Sequence, residues 1–79
     1  MTEKEREFTN TVREHRSTIY SVCFMFAKSS DEADDLFQEV LIKLWHGFDG
    51  FEHRSNIATW IWRISLNTVY RCLNGENTL

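Results

Sequence analysis

Residues 31–46, DEADDLFQEVLIKLWH, decide the fold of this chain, because their apolar positions recur with the period of an α-helix. Ser29 and Glu32 have the spacing of a capping box at the start of that helix, and Gly47 has the position of a C′ residue at its end. We therefore predict a helix over about residues 30–46. Its apolar positions form one stripe, which is typical of a helix buried along one side: Ala33, Leu36, Phe37, Val40, Leu41, Leu44 and Trp45.

A helix is predicted on each side of this segment. In the N-terminal part, apolar spacings of three, four and seven residues predict one long helix over about residues 3–28. After a loop at residues 47–56, Ser55 or Asn56 can cap a third helix over about residues 56–73. The buried stripe of the first helix is expected to contain Phe8, Val12, Ile19, Val22, Cys23 and Phe26. The core-facing positions of the third are Ile57, Ile61 and Ile64.

The composition agrees with a helical bundle, because the 79 residues contain no proline and only three glycines. A chain of this length has room for one hydrophobic core. We therefore predict an all-α fold, a compact three-helix bundle that forms a single domain over residues 1–79. No run approaches the about 18 consecutive apolar residues of a membrane span, and the charged N-terminus, MTEKEREF, is unlike a signal peptide. A cytoplasmic protein without membrane insertion is expected.

The charge is unevenly distributed along the chain. Residues 1–50 carry six Lys/Arg and ten Asp/Glu, a balance of −4, whereas residues 51–79 carry three and two, a balance of +1, which together give the net charge of −3. An acidic chain does not bind duplex nucleic acid tightly by itself. Nucleic acid is therefore expected to contact only the C-terminal part.

The residue pattern does not indicate catalysis. The chain has no glycine-rich phosphate-binding loop, and its acidic run lacks the glycine that a calcium-binding loop requires. We predict no enzymatic activity, no metal and no cofactor, and we interpret both cysteines as reduced packing residues. The histidines and cysteines match no metal-ligand spacing: His15, His46, His53, Cys23 and Cys72.

The side of the second helix opposite its buried stripe is the first candidate binding surface. Ile42 is an apolar residue surrounded there by carboxylates and an amide, an arrangement that suits docking of a basic helical partner. The other interpretation is an ordinary solvated acidic face, since single exposed apolar residues are common. The residues on this side are Asp35, Gln38, Glu39, Ile42 and His46.

The third helix and the loop before it are the second candidate surface. Their side chains are of the types that hydrogen-bond phosphates and base edges. Stacking of one unpaired base on an aromatic ring is worth about 1–3 kcal/mol, and extracting a base from a duplex costs a few kcal/mol, so one or two rings can offset one extruded base. The other interpretation is a solvated helix face beside core-anchoring aromatic residues, which we favour for Phe48 and Trp60. The stripe on the helix contains Thr59, Arg63, Asn67, Tyr70 and Asn74, with Arg71 at its flank, and the loop contains Phe51, His53, Arg54, Ser55 and Asn56.

Two motifs resemble region 2 of bacterial RNA polymerase sigma factors, especially the small extracytoplasmic-function (ECF) group. In the second helix, Asp34-Asp35-Leu36, Gln38-Glu39 and Leu44-Trp45 are similar to the acidic helix of that family. Residues 60–67, WIWRISLN, are similar to its W-L-Y-R-I-A-x-N motif. The two motifs have the order and separation of the family, and the resemblance covers nearly the whole chain.

The resemblance implies a sigma region 2-like helical domain that binds core RNA polymerase and recognises and melts the minus-ten promoter element. It implies an anti-sigma factor, covering the same surfaces, as a further partner. The clamp helices of the largest polymerase subunit are expected to contact Asp35, Gln38, Glu39 and Ile42. The non-template single strand of the promoter is expected to contact Phe51, His53, Arg54, Ser55, Asn56, Thr59, Arg63, Asn67 and Arg71.

The helix-turn-helix domain of the family, region 4, is not expected within these residues. The alternative hypothesis is a helical protein-interaction module, a degenerate sigma-like domain without a DNA function. The two hypotheses share the surface around Ile42 and differ in the role of the third helix.

Overall fold

The computed structural model describes residues 1–51 and 56–75, and for residues 49–51 the backbone alone. The described regular elements are all α-helices: α1 (Glu3–Glu14), α2 (Arg16–Phe26), α3 (Ser30–Phe51) and α4 (Ile57–Leu73). The prediction of an all-α fold is therefore confirmed for this part of the chain. The prediction of three helices is wrong, since the described residues form four.

The additional helix arises because the segment predicted as one helix over residues 3–28 is divided at His15. The backbone of His15 has φ −113° and ψ 15°, and its N–H is shared between the carbonyl oxygens of Thr11 at 3.1 Å and Val12 at 3.2 Å. Bonds of this i→i+3 type tighten the last turn of a helix. The Nδ1 atom of His15 also lies 3.0 Å from the Thr11 carbonyl oxygen. The apolar spacing continues through the break, so the pattern of the sequence does not reveal it.

The start of α3 agrees with the sequence, but its end does not. The Ser29 Oγ atom accepts a hydrogen bond from the Glu32 N–H at 3.1 Å, as in a capping box. In a full capping box the Glu32 carboxylate would also accept from the Ser29 N–H. Here it accepts instead from the N–H of the preceding residue, Lys28, at 2.7 Å. The helix then continues through Gly47 to Phe51, and the prediction that Gly47 ends it is wrong.

Gly47 lies inside α3, where the absence of a side chain leaves space for the indole ring of Trp60. A Cβ atom at this position would lie 3.3 Å from Cζ2 of Trp60, which is closer than ordinary van der Waals contact. A glycine within a helix is destabilising by roughly 0.5–1 kcal/mol relative to alanine. We infer that the close approach of α4 to α3 explains a glycine here. The positive φ expected of a helix-ending glycine occurs instead at Gly75, with φ 73°, just after α4.

The core lies between α2, α3 and α4, which all pack against one another. The buried stripe predicted for α3 is confirmed, because four of its positions are fully or almost fully buried and the others are half-buried. Phe26 is an exception to the stripe predicted for the N-terminal part: it is the last residue of α2 and its side chain is 44% exposed. The buried core cluster consists of Ile19, Val22, Cys23, Ala33, Leu36, Val40, Leu44, Ile61 and Val69.

Helix α1 packs on the outside of this core and contributes no fully buried residue. Its start is fixed by a capping box in which Thr2 Oγ1 accepts from the Glu5 N–H at 3.1 Å and the Glu5 carboxylate accepts from the Thr2 N–H at 2.9 Å. These hydrogen bonds hold the pKa of Glu5 below its usual value. None of the described helices has the length and apolar character needed to cross a membrane.

Candidate functional site

The outward side of α3 forms one wall of a groove with a volume of about 370 Å³. Cys72 and Leu73, at the end of α4, form part of the opposite wall. His46, which the helical spacing assigned to the same side of α3, is exposed but does not line the groove. All four residues expected to contact a protein partner line it: Asp35, Gln38, Glu39 and Ile42.

This acidic groove, as we call it, combines exposed apolar side chains with acidic ones. The Ile42 side chain is 48% exposed, and Leu73 across the groove is 41% exposed. The acidic residues Glu32, Asp35 and Glu39 line the same groove. An apolar centre inside a polar rim is the usual anatomy of a protein interface, and the acidic side chains favour a basic partner.

The charges of the groove also affect the thiol of Cys72. Burial raises the pKa of Cys72 above its usual value, the nearby Glu39 carboxylate raises it further, and the Lys43 ammonium group opposes the increase. The sequence predicts a packing role for Cys72 and does not predict its position in the groove. Helical spacing places Cys72 three residues after the buried Val69, but it does not show that this edge of α4 lies beside α3.

The polar stripe predicted on α4 is solvent-exposed along its length. Arg63 and Arg71 form no hydrogen bond or ion pair with any residue that the structure describes, so their guanidinium groups are available to phosphates. At the C-terminal end, Asn74 Nδ2 donates to the Tyr70 carbonyl oxygen at 2.8 Å. The exposed members of the stripe are Thr59, Arg63, Asn67, Tyr70, Arg71 and Asn74.

The first turn of α4 explains which polar atoms remain available there. Asn56 is the N-cap residue, as one of the two predicted candidates, and its Oδ1 atom accepts from the N–H groups of Ala58 at 2.8 Å and Thr59 at 3.4 Å. Among the residues that the structure describes, the Asn56 Nδ2 group and the Thr59 hydroxyl have no hydrogen-bond partner. The Phe51 side chain and the residues His53, Arg54 and Ser55 lie outside the described part of the chain, so their expected contact with nucleic acid stays a prediction.

A cluster of aromatic rings joins α1, α3 and α4 beside this first turn. The Phe8 ring meets Trp45 edge-on, with centroids 5.1 Å apart and planes at 75°, and meets Phe48 at 5.3 Å and 81°. Phe48 in turn lies 6.5 Å from Trp60. Phe48 is 9% exposed, which agrees with its interpretation as a core anchor. Phe8 belongs to the buried stripe that the sequence predicts for the first helix, but the spacing does not predict its contact with the end of α3.

A second groove, of about 360 Å³, lies between the end of α2 and α4 and is not predicted by the sequence. Its lining is mainly apolar, and it shares Leu73 with the acidic groove and Asn67, Tyr70 and Asn74 with the polar stripe. The exposure of Phe26 is explained by this position. The complete lining is Phe26, Leu66, Asn67, Val69, Tyr70, Leu73 and Asn74.

Within residues 1–51 and 56–75, no group of three or more His, Cys, Asp or Glu side chains is arranged to hold a metal ion. Cys23 and Cys72 are both free thiols, the first buried and the second half-buried. The candidate binding surfaces that the sequence predicts are thus the acidic groove and the stripe on α4.

Comparison with known proteins identifies the family to which the chain belongs. The family described as Sigma-70 region 2 matches residues 11–77. The chain is 32% identical over 74 residues to ECF RNA polymerase sigma factor SigG of Mycobacterium tuberculosis, which covers 94% of the chain and 20% of that protein. It is 30% identical over 60 residues to ECF RNA polymerase sigma factor SigW of Bacillus subtilis, covering 76% of the chain and 32% of that protein. No solved structure matches the chain significantly.

The chain therefore belongs to the Sigma-70 region 2 family, and the resemblance to sigma factors of the ECF group is confirmed. A further relative, RNA polymerase sigma-H factor of Pseudomonas aeruginosa, is 31% identical over 65 residues, which is 82% of the chain and 34% of that protein. The chain thus spans between a fifth and about a third of the length of these relatives.

Proposed function

We propose that this chain is a sigma-factor domain that binds core RNA polymerase and recognises and melts the minus-ten promoter element in transcription initiation, without catalysis of its own. The observation that carries the proposal is the convergence of Asp35, Gln38, Glu39 and Ile42 on one groove. These are the residues for which the family resemblance implies polymerase contact. The exposure of the polar stripe on α4 supports a separate role in holding promoter DNA.

The acidic groove has the chemistry needed to bind the clamp helices of the largest polymerase subunit. A helix laid in the groove would cover the exposed side chain of Ile42, while basic residues on its flanks would pair with Asp35 and Glu39. Interface energy is concentrated in a few centrally buried contacts, so Ile42 is expected to contribute more than the rim carboxylates. An anti-sigma factor that occupied the same groove would exclude the polymerase.

The stripe on α4 has the chemistry needed for a single DNA strand. Arg63 and Arg71 would contact phosphates, and Thr59 and Asn67 have hydroxyl and amide groups that hydrogen-bond bases. Together with Arg54 in the preceding segment, about three arginines would face the strand, which corresponds to a slope of about −2 in log affinity against log salt concentration. The net charge of −3 means that strand binding should depend on the polymerase for most of its affinity.

Polymerase binding can be tested by interferometry on immobilised core enzyme with a charge-matched pair of variants. Asp35 lines the groove, whereas the neighbouring Asp34 does not and lies 3.5 Å from the Tyr20 hydroxyl. We expect Asp35→Asn to weaken binding about threefold to fivefold and Ile42→Ala about tenfold or more, with Asp34→Asn close to wild type. Absence of binding by the wild-type domain would overturn the proposal.

The DNA role can be tested by titrating the tryptophan fluorescence of the polymerase-bound domain with a minus-ten-like single strand. Arg63→Ala should weaken strand binding while leaving polymerase affinity unchanged. Arg13→Ala, which removes an exposed arginine of α1 away from the stripe, is the charge-matched control. Polymerase binding without any sequence preference for the strand would favour the alternative function, a helical interaction module without a DNA role.

A further inference from the structure

Phe8 occupies a specific place in the packing of the bundle. Its ring lies edge-on to both Trp45 and Phe48, at centroid distances of 5.1 and 5.3 Å, and the Lys4 ammonium group lies 3.9 Å from the centroid of Trp45 on the same helix pair. Edge-to-face contacts constrain the orientation of both rings. Helix α1 therefore fixes two aromatic side chains in the last turns of α3.

The same rings continue to the first turn of α4. Phe48 lies 6.5 Å from Trp60, and the indole of Trp60 also approaches the backbone of α3 at Gly47, where a Cβ atom would be only 3.3 Å away. Trp60 is adjacent to Thr59 in the sequence and is three residues before Arg63, so a movement of this part of α4 displaces both residues. Phe8 is thus connected to the α4 stripe through two ring contacts.

From this geometry we infer that Phe8 is a positioning residue: through Phe48 and Trp60, it sets the placement of the first turns of α4, from which Thr59 and Arg63 contact the promoter strand. The part of this inference that concerns DNA rests on the proposed function. Phe8 precedes residue 11, where the family match begins. Helix α1 contains no fully buried residue and lies at the periphery of the bundle. Through Phe8, this peripheral helix would still influence the placement of α4.

The test compares Phe8→Ala with Val12→Ala. Both changes truncate a half-buried apolar side chain of α1, but Val12 lies beside Phe37 in a shallow groove away from the ring cluster. The first measurement is the NMR chemical shift of the Trp60 indole N–H and of the Thr59 and Arg63 amides in the free domain. These signals should move in Phe8→Ala, stay in place in Val12→Ala, and return in Phe8→Tyr, which retains the ring.

The second measurement is the affinity of the polymerase-bound domain for a minus-ten-like single strand. We expect Phe8→Ala to weaken it about fivefold, and Val12→Ala and Phe8→Tyr to change it less than about twofold, because only the first variant loosens the support of the strand-contacting residues. Affinity for the polymerase itself should be unchanged in every variant. If circular dichroism shows that Phe8→Ala does not fold, Phe8→Leu replaces it, since it keeps apolar volume but lacks the ring.

Unmoved Trp60, Thr59 and Arg63 signals in the folded Phe8 variant would overturn the inference. Wild-type strand affinity in that variant would also overturn it, provided that the wild-type domain discriminates between strands. If the wild-type domain shows no strand preference, the proposed DNA role fails instead, and the NMR comparison alone decides whether Phe8 sets the placement of α4.

Discussion

The rings of Tyr20 in α2 and Phe37 in α3 stack almost parallel, with centroids 4.2 Å apart and an angle of 10° between their planes. Phe24 extends the stack at 5.7 Å from Tyr20, and the Tyr20 hydroxyl lies 3.5 Å from an Asp34 carboxylate oxygen. The stack is partly exposed, so it joins α2 to α3 at the edge of the core rather than within it.

A double-mutant cycle with Tyr20→Ala and Phe37→Ala should give a coupling free energy of about 0.5–1.5 kcal/mol, the usual value of an aromatic pair beyond its area burial. Tyr20→Phe should cost less than about 0.5 kcal/mol, because the hydrogen bond to Asp34 is long and exposed. Urea denaturation of the four proteins in the cycle measures both values. A Tyr20→Phe variant as unstable as Tyr20→Ala would show that the hydroxyl, and not the stacked ring, holds the two helices.

Two serines of the chain should respond to the same substitution in opposite ways. Ser65 Oγ is fully buried and has no hydrogen-bond partner within the described structure, so Ser65→Ala should leave the free energy of unfolding unchanged or raise it by up to about 1 kcal/mol. Ser29→Ala removes the cap of α3 and should lower it by about 1 kcal/mol. Thermal and urea unfolding provide the measurement. A loss of stability in Ser65→Ala comparable to that of Ser29→Ala would contradict the buried, unpaired state of the Ser65 hydroxyl.

The thiol of Cys23 should make the stability of the domain fall at alkaline pH. Burial, with a smaller contribution from the neighbouring Cys72 thiolate, raises the pKa of Cys23 from 9.0 to about 11. The folded state therefore keeps the proton when the unfolded chain loses it, so this contribution is complete below pH 9 and is lost as the pH rises through 11. Unfolding free energies measured between pH 8 and about pH 11 should fall more steeply for wild type than for Cys23→Ala. Identical slopes would contradict the prediction.

Alkylation of Cys72 should block the acidic groove. An N-ethylmaleimide adduct on Cys72 would occupy space beside Ile42 and Glu39, and should weaken polymerase binding about tenfold or more. Because the pKa of Cys72 is raised, labelling needs a mildly alkaline buffer, and the fully buried Cys23 should react more slowly. Cys72→Ser treated with the same reagent is the control, and mass spectrometry verifies the labelled site. Unchanged polymerase binding by the Cys72-labelled domain would place the polymerase on another surface.

The features that the sequence predicted correctly depend on local spacing. The stripe of α3 and the cap at Ser29 need only the period of a helix and the hydrogen-bonding capacity of a serine. The positions of Asp35, Gln38, Glu39 and Ile42 on one outward side follow from the same period, and the structure brings them together in a groove.

The features that the sequence did not predict depend on contacts between distant segments. Gly47 resembles a helix end in isolation, and only the approach of Trp60 explains a glycine within α3. The break at His15 leaves the apolar period intact, since Val12 and Ile19 keep their spacing across it. Two further features depend on how the four described helices pack together: the contact of Phe8 with Trp45 and the position of Cys72 in the groove. The periodicity of a single helix does not predict that packing.

Site-specific photo-cross-linking from position 42 tests most directly whether the acidic groove is the surface that binds RNA polymerase. A p-benzoylphenylalanine in place of Ile42 should cross-link to the clamp helices of the largest subunit when the domain is mixed with core enzyme. The same probe in place of Met25, an exposed apolar residue of α2 outside the groove, should give little product. Cross-linking from position 25 with none from position 42 would contradict polymerase docking in the groove.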